Sequence, residues 1–203
     1  MSLPEDLPPT QKGRHHEIRA RGLREFAGLT RDDQPLDPFA LAKFANLFVA
    51  SFEMIDSLSE ESRKHLLGDG KDAWSGGAAS KALADGSRLI ILNPSHGSNR
   101  HKATLMEEVC HVFLGHKPSR LAVETKDKNG KILARDYNHA IEEEAYSTGT
   151  AALVPYTALK RMVSQGKTAR EIARHFGVSQ ALVEFRIKVS RLWELYGESI
   201  FGG

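Results

Sequence analysis

The segment that most restricts the fold lies between residues 89 and 118. Leu89-Ile90-Ile91-Leu92 is a short apolar run closed by Asn93-Pro94, the pattern of a buried strand. Ser98 or Asn99 can cap a helix that runs to about Leu114, where Gly115 and Pro118 stop it. A buried strand leading within a few residues into an amphipathic helix needs other elements to cover both. The chain is therefore expected to be α+β, mostly helical around a small β-sheet. The helix carries Glu107, Glu108 and His111. Residues 107 and 111 share one face, and residue 108 projects about 100° around the helix from 107.

The flanking sequence supplies those elements. Residues 1 to 10 hold three prolines and two acids with little to bury, the composition of a mobile lead-in. A basic amphipathic helix is expected from residue 11 to about 29, ending near Gly28. Asp37-Pro38 is an N-cap followed by proline at the first helical position, which opens a second helix through Leu47. A strand over residues 49 to 55 and a weakly capped helix over 57 to 67 follow. Gly76, Gly77 and the Asp85-Gly86 turn imply a strand paired with residues 89 to 92. Asn129-Gly130 between Val123 and Ile132 signals a hairpin. Glu142 lies at the start of an Ala-rich helix that Pro155 stops, and helices over 156 to 163, 168 to 176 and 179 to about 196 complete the chain. This gives residues 1–34 as lead-in and helix, 35–155 as the core and 156–203 as a helical tail.

Composition excludes several functional classes. A net charge of +2 with 27% charged residues offers no global attraction for nucleic acid. The single cysteine, Cys110, cannot form an intramolecular disulfide, fits a reducing cytosol and sits in an apolar run that favours core packing. No apolar stretch approaches the roughly 20 residues of a membrane span, and the N-terminus lacks a basic-then-apolar signal pattern. A soluble cytoplasmic protein is expected.

The chemistry suggested by residues 107 to 111 is that of the His-Glu-x-x-His helix, in which two histidines share a metal and the glutamate between them acts as general base. Here Glu107 stands in the first histidine position. A carboxylate binds Zn²⁺ at about 2.0–2.2 Å, as an imidazole does, so the substitution is compatible with a metal and adds preference for Mn²⁺ or Fe²⁺. Two carboxylates and one imidazole also leave less residual positive charge on a divalent ion than one carboxylate and two imidazoles. Water beside it would be acidified less, which predicts slower hydrolysis or a shift to higher pH.

Taken together, these segments resemble the ImmA/IrrE-type metallopeptidases over residues 35 to 192. The resemblance is carried by Leu89-Ile90-Ile91-Leu92-Asn93-Pro94, by residues 104 to 116, by Glu142-x-x-Ala145 with Leu153-Val154-Pro155, and by Glu171-Ile172-Ala173-x-x-Phe176-Gly177-Val178-Ser179. It implies a zincin-like (thermolysin-like) core with a C-terminal helix-turn-helix-like tail, an intracellular hydrolase acting on a protein or peptide substrate, and in several members a repressor as that substrate. It also implies that Glu107, His111 and Glu142 hold the metal, zinc in the usual case, with Glu108 as the catalytic base. Glu144 is the alternative third ligand. Glu107 and Tyr146 depart from the family pattern, the latter where an acid would support a ligand. Tyr137, His139 and Tyr146 are the candidates for stabilising the oxyanion.

His116 falls about 140° off the ligand face if the helix is extended to it, so a local capping or hydrogen-bonding role is expected. The other histidines show no ligand spacing. A peptide substrate could add as a strand along an exposed edge formed by residues 89 to 92. Two other functions compete: a non-catalytic protein-binding regulator built on the same cleft, and a DNA-binding regulator using Arg186, Lys188 and Arg191 of the tail. Leu182 and Phe185 occupy prominent positions on that helix, which favours packing over base reading.

Overall fold

A computed structural model describes residues 7–56, 58–79, 81–116 and 139–201. Among them the fold is α+β, with helices α1 (Gln11–Phe26), α2 (Pro38–Phe44), α3 (Glu60–Leu67), α4 (Ser98–Phe113), α5 (His139–Leu153), α6 (Tyr156–Ser164), α7 (Ala169–Phe176), α8 (Gln180–Val189) and α9 (Trp193–Phe201). A three-stranded sheet of β1 (Leu47–Ala50), β2 (Gly76–Ala78) and β3 (Arg88–Leu92) completes it. The hairpin expected at Asn129-Gly130 and most of the N-terminal lead-in lie outside the described residues.

Local signals set most of the boundaries. Asp37 caps α2 by accepting from the Phe39 amide, with Pro38 at the first position. The expected continuation to Leu47 fails because Asn46 takes φ 54°, turning the chain from α2 straight into β1. The strand expected over 49 to 55 is therefore shifted, and a short 3₁₀ turn covers Phe52–Met54. Ser59 caps α3 through a 3.1 Å bond from the Ser62 amide, a firmer start than the sequence suggested. Thr168 and Glu171 form a reciprocal capping box on α7, and Ser179 caps α8. The single helix expected from 179 to 196 is two, because Arg191 at φ 55° breaks it between α8 and α9.

Strand order overturns one expectation. β3 pairs parallel with β1 on one side and antiparallel with β2 on the other, so residues 89 to 92 form the centre of the sheet and offer no edge. Ile90 and Leu92 are buried, as a central strand beneath helices requires. β2, opposite Leu92 and Ile90, forms one outer edge, and it lies against α4: a Cβ on Gly76 would come within 2.7 Å of the Thr104 methyl.

The helical layer is centred on α4 and α5. Leu105, Met106, Val109 and Cys110 of α4 are fully buried, as are Ala145, Ala151 and Ala152 of α5. Gly149 lets the two backbones approach, since a Cβ there would stand 3.3 Å from Met106 Cγ and 3.4 Å from Cys110 Sγ. This close packing faces the N-terminal half of α5 toward residues 107 and 111. α1 lies along the other side of α5, tied by Lys12 to Glu143 (2.6 Å), His16 to Thr148 (3.1 Å) and Arg24 to the Ala152 carbonyl (2.8 Å). The tail docks on α4 and α1. Asn99 and Lys102 donate to the Val178 and Gly177 carbonyls in the α7–α8 turn, and Arg186 of α8 reaches Glu17 of α1.

Burying His16 in the α1–α5 seam has a measurable consequence. Burial, reinforced by the charges of Lys12, His15 and Arg19, pulls its pKa from 6.5 to about 4. The unfolded chain then binds more protons than the native one between these values, so the contribution is fully present above pH 6.5 and lost as pH falls toward 4. Denaturant unfolding across that window should show stability falling with pH, and His16→Gln should flatten the slope.

Candidate metal centre

α4 presents Glu107 and His111 one turn apart, and α5 presents Glu142 from its first turn. One donor atom from each lies within 4.8 Å of the others, and this is the one such His, Cys, Asp and Glu group among the described residues. His111 Nε2 stands 3.4 Å from Glu142 Oε2. All three side chains are half-buried, open enough to admit a small ligand.

The electrostatics of the group are those of crowded carboxyls. Burial, with the charges of Glu108 and Glu142 added, pushes Glu107 up to about 7. Burial also raises Glu108, and Glu142 adds to the shift while His111 and Arg88 of β3 oppose it. A divalent cation would relieve this repulsion, and two carboxylates with one imidazole are a donor set that such ions accept. The residues present therefore fit a metal.

Glu144 is turned elsewhere. One of its oxygens pairs with Arg19 of α1 and the other lies 3.0 Å from His116 Nε2. His116 Nδ1 in turn lies 3.1 Å from His111 Nδ1. The helical-wheel estimate put His116 far from His111, but α4 ends before it. Gly115 takes φ 68°, the His116 amide donates to the His111 carbonyl (2.9 Å) and the Gly115 amide to that of Val112 (3.0 Å), a Schellman cap that folds His116 back over His111. Burial, with His111 and Arg19 nearby, keeps the His116 pKa below the ordinary histidine value. The sequence did carry a signal for this geometry, in a glycine immediately after the helix and immediately before a histidine.

Tyr146 lies one turn beyond Glu142 with its ring 5.2 Å from that of Phe185, and burial together with Glu107 raises its phenol pKa. His139 is exposed at the start of α5, and Tyr137 is outside the described residues. Cys110 is fully buried, and that burial, with Glu107, raises its thiol, so it packs the core and is unsuited to act as a nucleophile. His101 and His175 each bond a backbone carbonyl at 2.7 Å. Arg186, expected to be available on the outside of the tail, is buried against Glu17. A separate cavity of about 560 Å³ between α1, residues 28–32 and the α5–α6 junction includes none of the metal-site residues.

The model of the IrrE N-terminal-like domain, peptidase family M78, matches residues 65–188. The chain belongs to this family. No curated protein and no solved structure matches it. Membership makes the chain metallopeptidase-like and implies a metal ion and a protein or peptide substrate. The matched M78 region contains α4, α5, the three converging residues Glu107, His111 and Glu142, and Glu108, whereas α1, which supplies Arg19, precedes it. No helix among the described residues is long and apolar enough to cross a membrane.

Proposed function

We propose that this M78 protein is a cytoplasmic metal-dependent endopeptidase that holds one divalent ion on Glu107, His111 and Glu142 and uses Glu108 as general base. The observation that carries the reading is the convergence of those three donors from two helices, with Glu108 beside them on α4. Zn²⁺ is the ion proposed, with Mn²⁺ and Fe²⁺ as the alternatives that a carboxylate-rich set favours. When bound, such an ion polarises the scissile carbonyl and acidifies water.

The protein's own groups do the rest. Glu108 takes the proton of the attacking water, and its raised pKa brings it nearer the value that suits transfer around neutral pH. It then returns that proton to the leaving amine. Tyr146, half-buried beside Glu107, is the described candidate for donating to the developing oxyanion. A substrate strand would pair with β2, the outer strand next to α4, since β3 is covered on both sides. Such backbone pairing suits a flexible segment of a regulatory protein, and a repressor is the substrate class the family resemblance suggests.

Titrating Zn²⁺, Mn²⁺ and Fe²⁺ into the protein and a Glu107→Ala variant tests the reading. About one ion per chain, lost or weakened by at least 10-fold in the variant, is the expected result. No binding of any of the three would overturn it and leave the cleft to be studied as a protein-binding surface.

A further inference from the structure

We propose that His116, Glu144 and Arg19 form a hydrogen-bonded relay that holds His111 with a proton on Nδ1 and its Nε2 turned toward Glu142. Three contacts define it. His111 Nδ1 lies 3.1 Å from His116 Nδ1, His116 Nε2 lies 3.0 Å from Glu144 Oε2, and Glu144 Oε1 is held by Arg19.

The proton positions follow from what each group can do. A carboxylate paired with a guanidinium only accepts hydrogen bonds, so His116 Nε2 must donate to Glu144. A neutral imidazole protonated on Nε2 has a lone pair on Nδ1, so His116 accepts from His111. His111 must then carry its own proton on Nδ1. That leaves Nε2 as the nitrogen facing Glu142 at 3.4 Å, as a metal ligand would require.

Tyr146 stands one turn after Glu142, and the support for His111 comes through the helix cap, from His116. The relay also brings α1 into the site. Arg19 lies outside the region matched by the family, and its position depends on α1 being docked on α5 through Lys12, His16 and Arg24. His116, Glu144 and Arg19 are positioning residues, since each acts on the centre through His111.

The orienting role rests on the metal reading above, whereas the Nδ1 proton is set by the contact with His116 acting against the pull of Glu142 on Nε2, and the test separates them. Long-range ¹H–¹⁵N spectra of the histidine side chains, recorded without metal at mildly alkaline pH, should show His111 protonated on Nδ1. His116→Phe and Arg19→Met should move the proton toward Nε2. His116→Gln, whose amide can accept from His111 and donate to Glu144, should retain the original pattern. In parallel, Zn²⁺ affinity should fall about 10- to 100-fold in His116→Phe and be largely restored in His116→Gln, with backbone amide spectra confirming the fold. A wild-type His111 protonated on Nε2, or a folded His116→Phe with unchanged His111 signals, would overturn the relay. If Zn²⁺ does not bind the wild type while the tautomer responds as expected, the relay stands and the metal reading falls. If Glu107→Ala loses Zn²⁺ but His116→Phe does not, the metal reading stands and the relay falls.

Discussion

Glu108→Gln is expected to lower peptide hydrolysis by about 10²- to 10⁴-fold while leaving the fold and the bound ion in place. Glutamine keeps the volume and one acceptor oxygen of the glutamate but cannot take a proton from water. Because Glu108 is not among the three converging donors, the ion should be retained at wild-type stoichiometry. Stability should not suffer either, since burial and Glu142 already disfavour the charged form of this side chain. The informative measurement combines three readouts on one preparation: cleavage of an unstructured protein substrate, metal content and thermal unfolding. Hydrolysis at the wild-type rate would remove Glu108 from the mechanism. Loss of metal together with hydrolysis would instead make Glu108 part of the ion's support.

Arg186→Met should destabilise the fold strongly. Arg186 and Glu17 are 5% and 7% exposed and pair with each other, while Glu17 also accepts from the Tyr156 amide at 3.1 Å and Arg186 donates to the Val154 carbonyl at 3.1 Å. Removing the arginine leaves a carboxylate buried beside the α5–α6 junction, a loss of about 3–5 kcal/mol. For a chain of this length each kcal/mol shifts Tm by roughly 2–4 °C, so a drop of about 6–20 °C is expected in calorimetry. The double variant Glu17→Leu/Arg186→Met should recover only part of this. The charges are gone, but the Tyr156 amide and the Val154 carbonyl each lose a partner, at about 1–3 kcal/mol per buried group. A double-mutant cycle with no coupling between the two positions would show that the pair contributes nothing.

This ion pair also bears on the tail. Its apolar residues Ile172, Phe176, Val178 and Val183 are buried, and the α7–α8 turn is held against α4 by Asn99 and Lys102. One of the three cations that the sequence offered for DNA is thereby committed to the interior.

How far the sequence could be read depended on the distance over which each signal acts. Caps at Asp37 and Ser179, the helix over residues 168 to 176 and the spacing of Glu107, Glu108 and His111 involve groups within a few turns of each other, and those elements were legible. The ends of α2 and α8 were not, because Asn46 and Arg191 adopt left-handed φ values that their residue types do not demand. The geometry of His116 failed for a related reason, since a helical wheel has no meaning beyond Gly115.

By itself the sequence determined the α+β class, the strand-then-helix unit over residues 89 to 114 and a helix carrying two glutamates and a histidine in fixed register, because helix and strand periodicity are properties of the local backbone. Only the tertiary structure decided that Glu142 faces His111 while Glu144 turns to His116 and Arg19, that β3 is central with β1 and β2 at the edges, and that Arg186 is interior. Those outcomes depend on which faces pack together, above all on the close approach of α4 and α5 at Gly149, and the contacts that fix them join residues far apart in the chain.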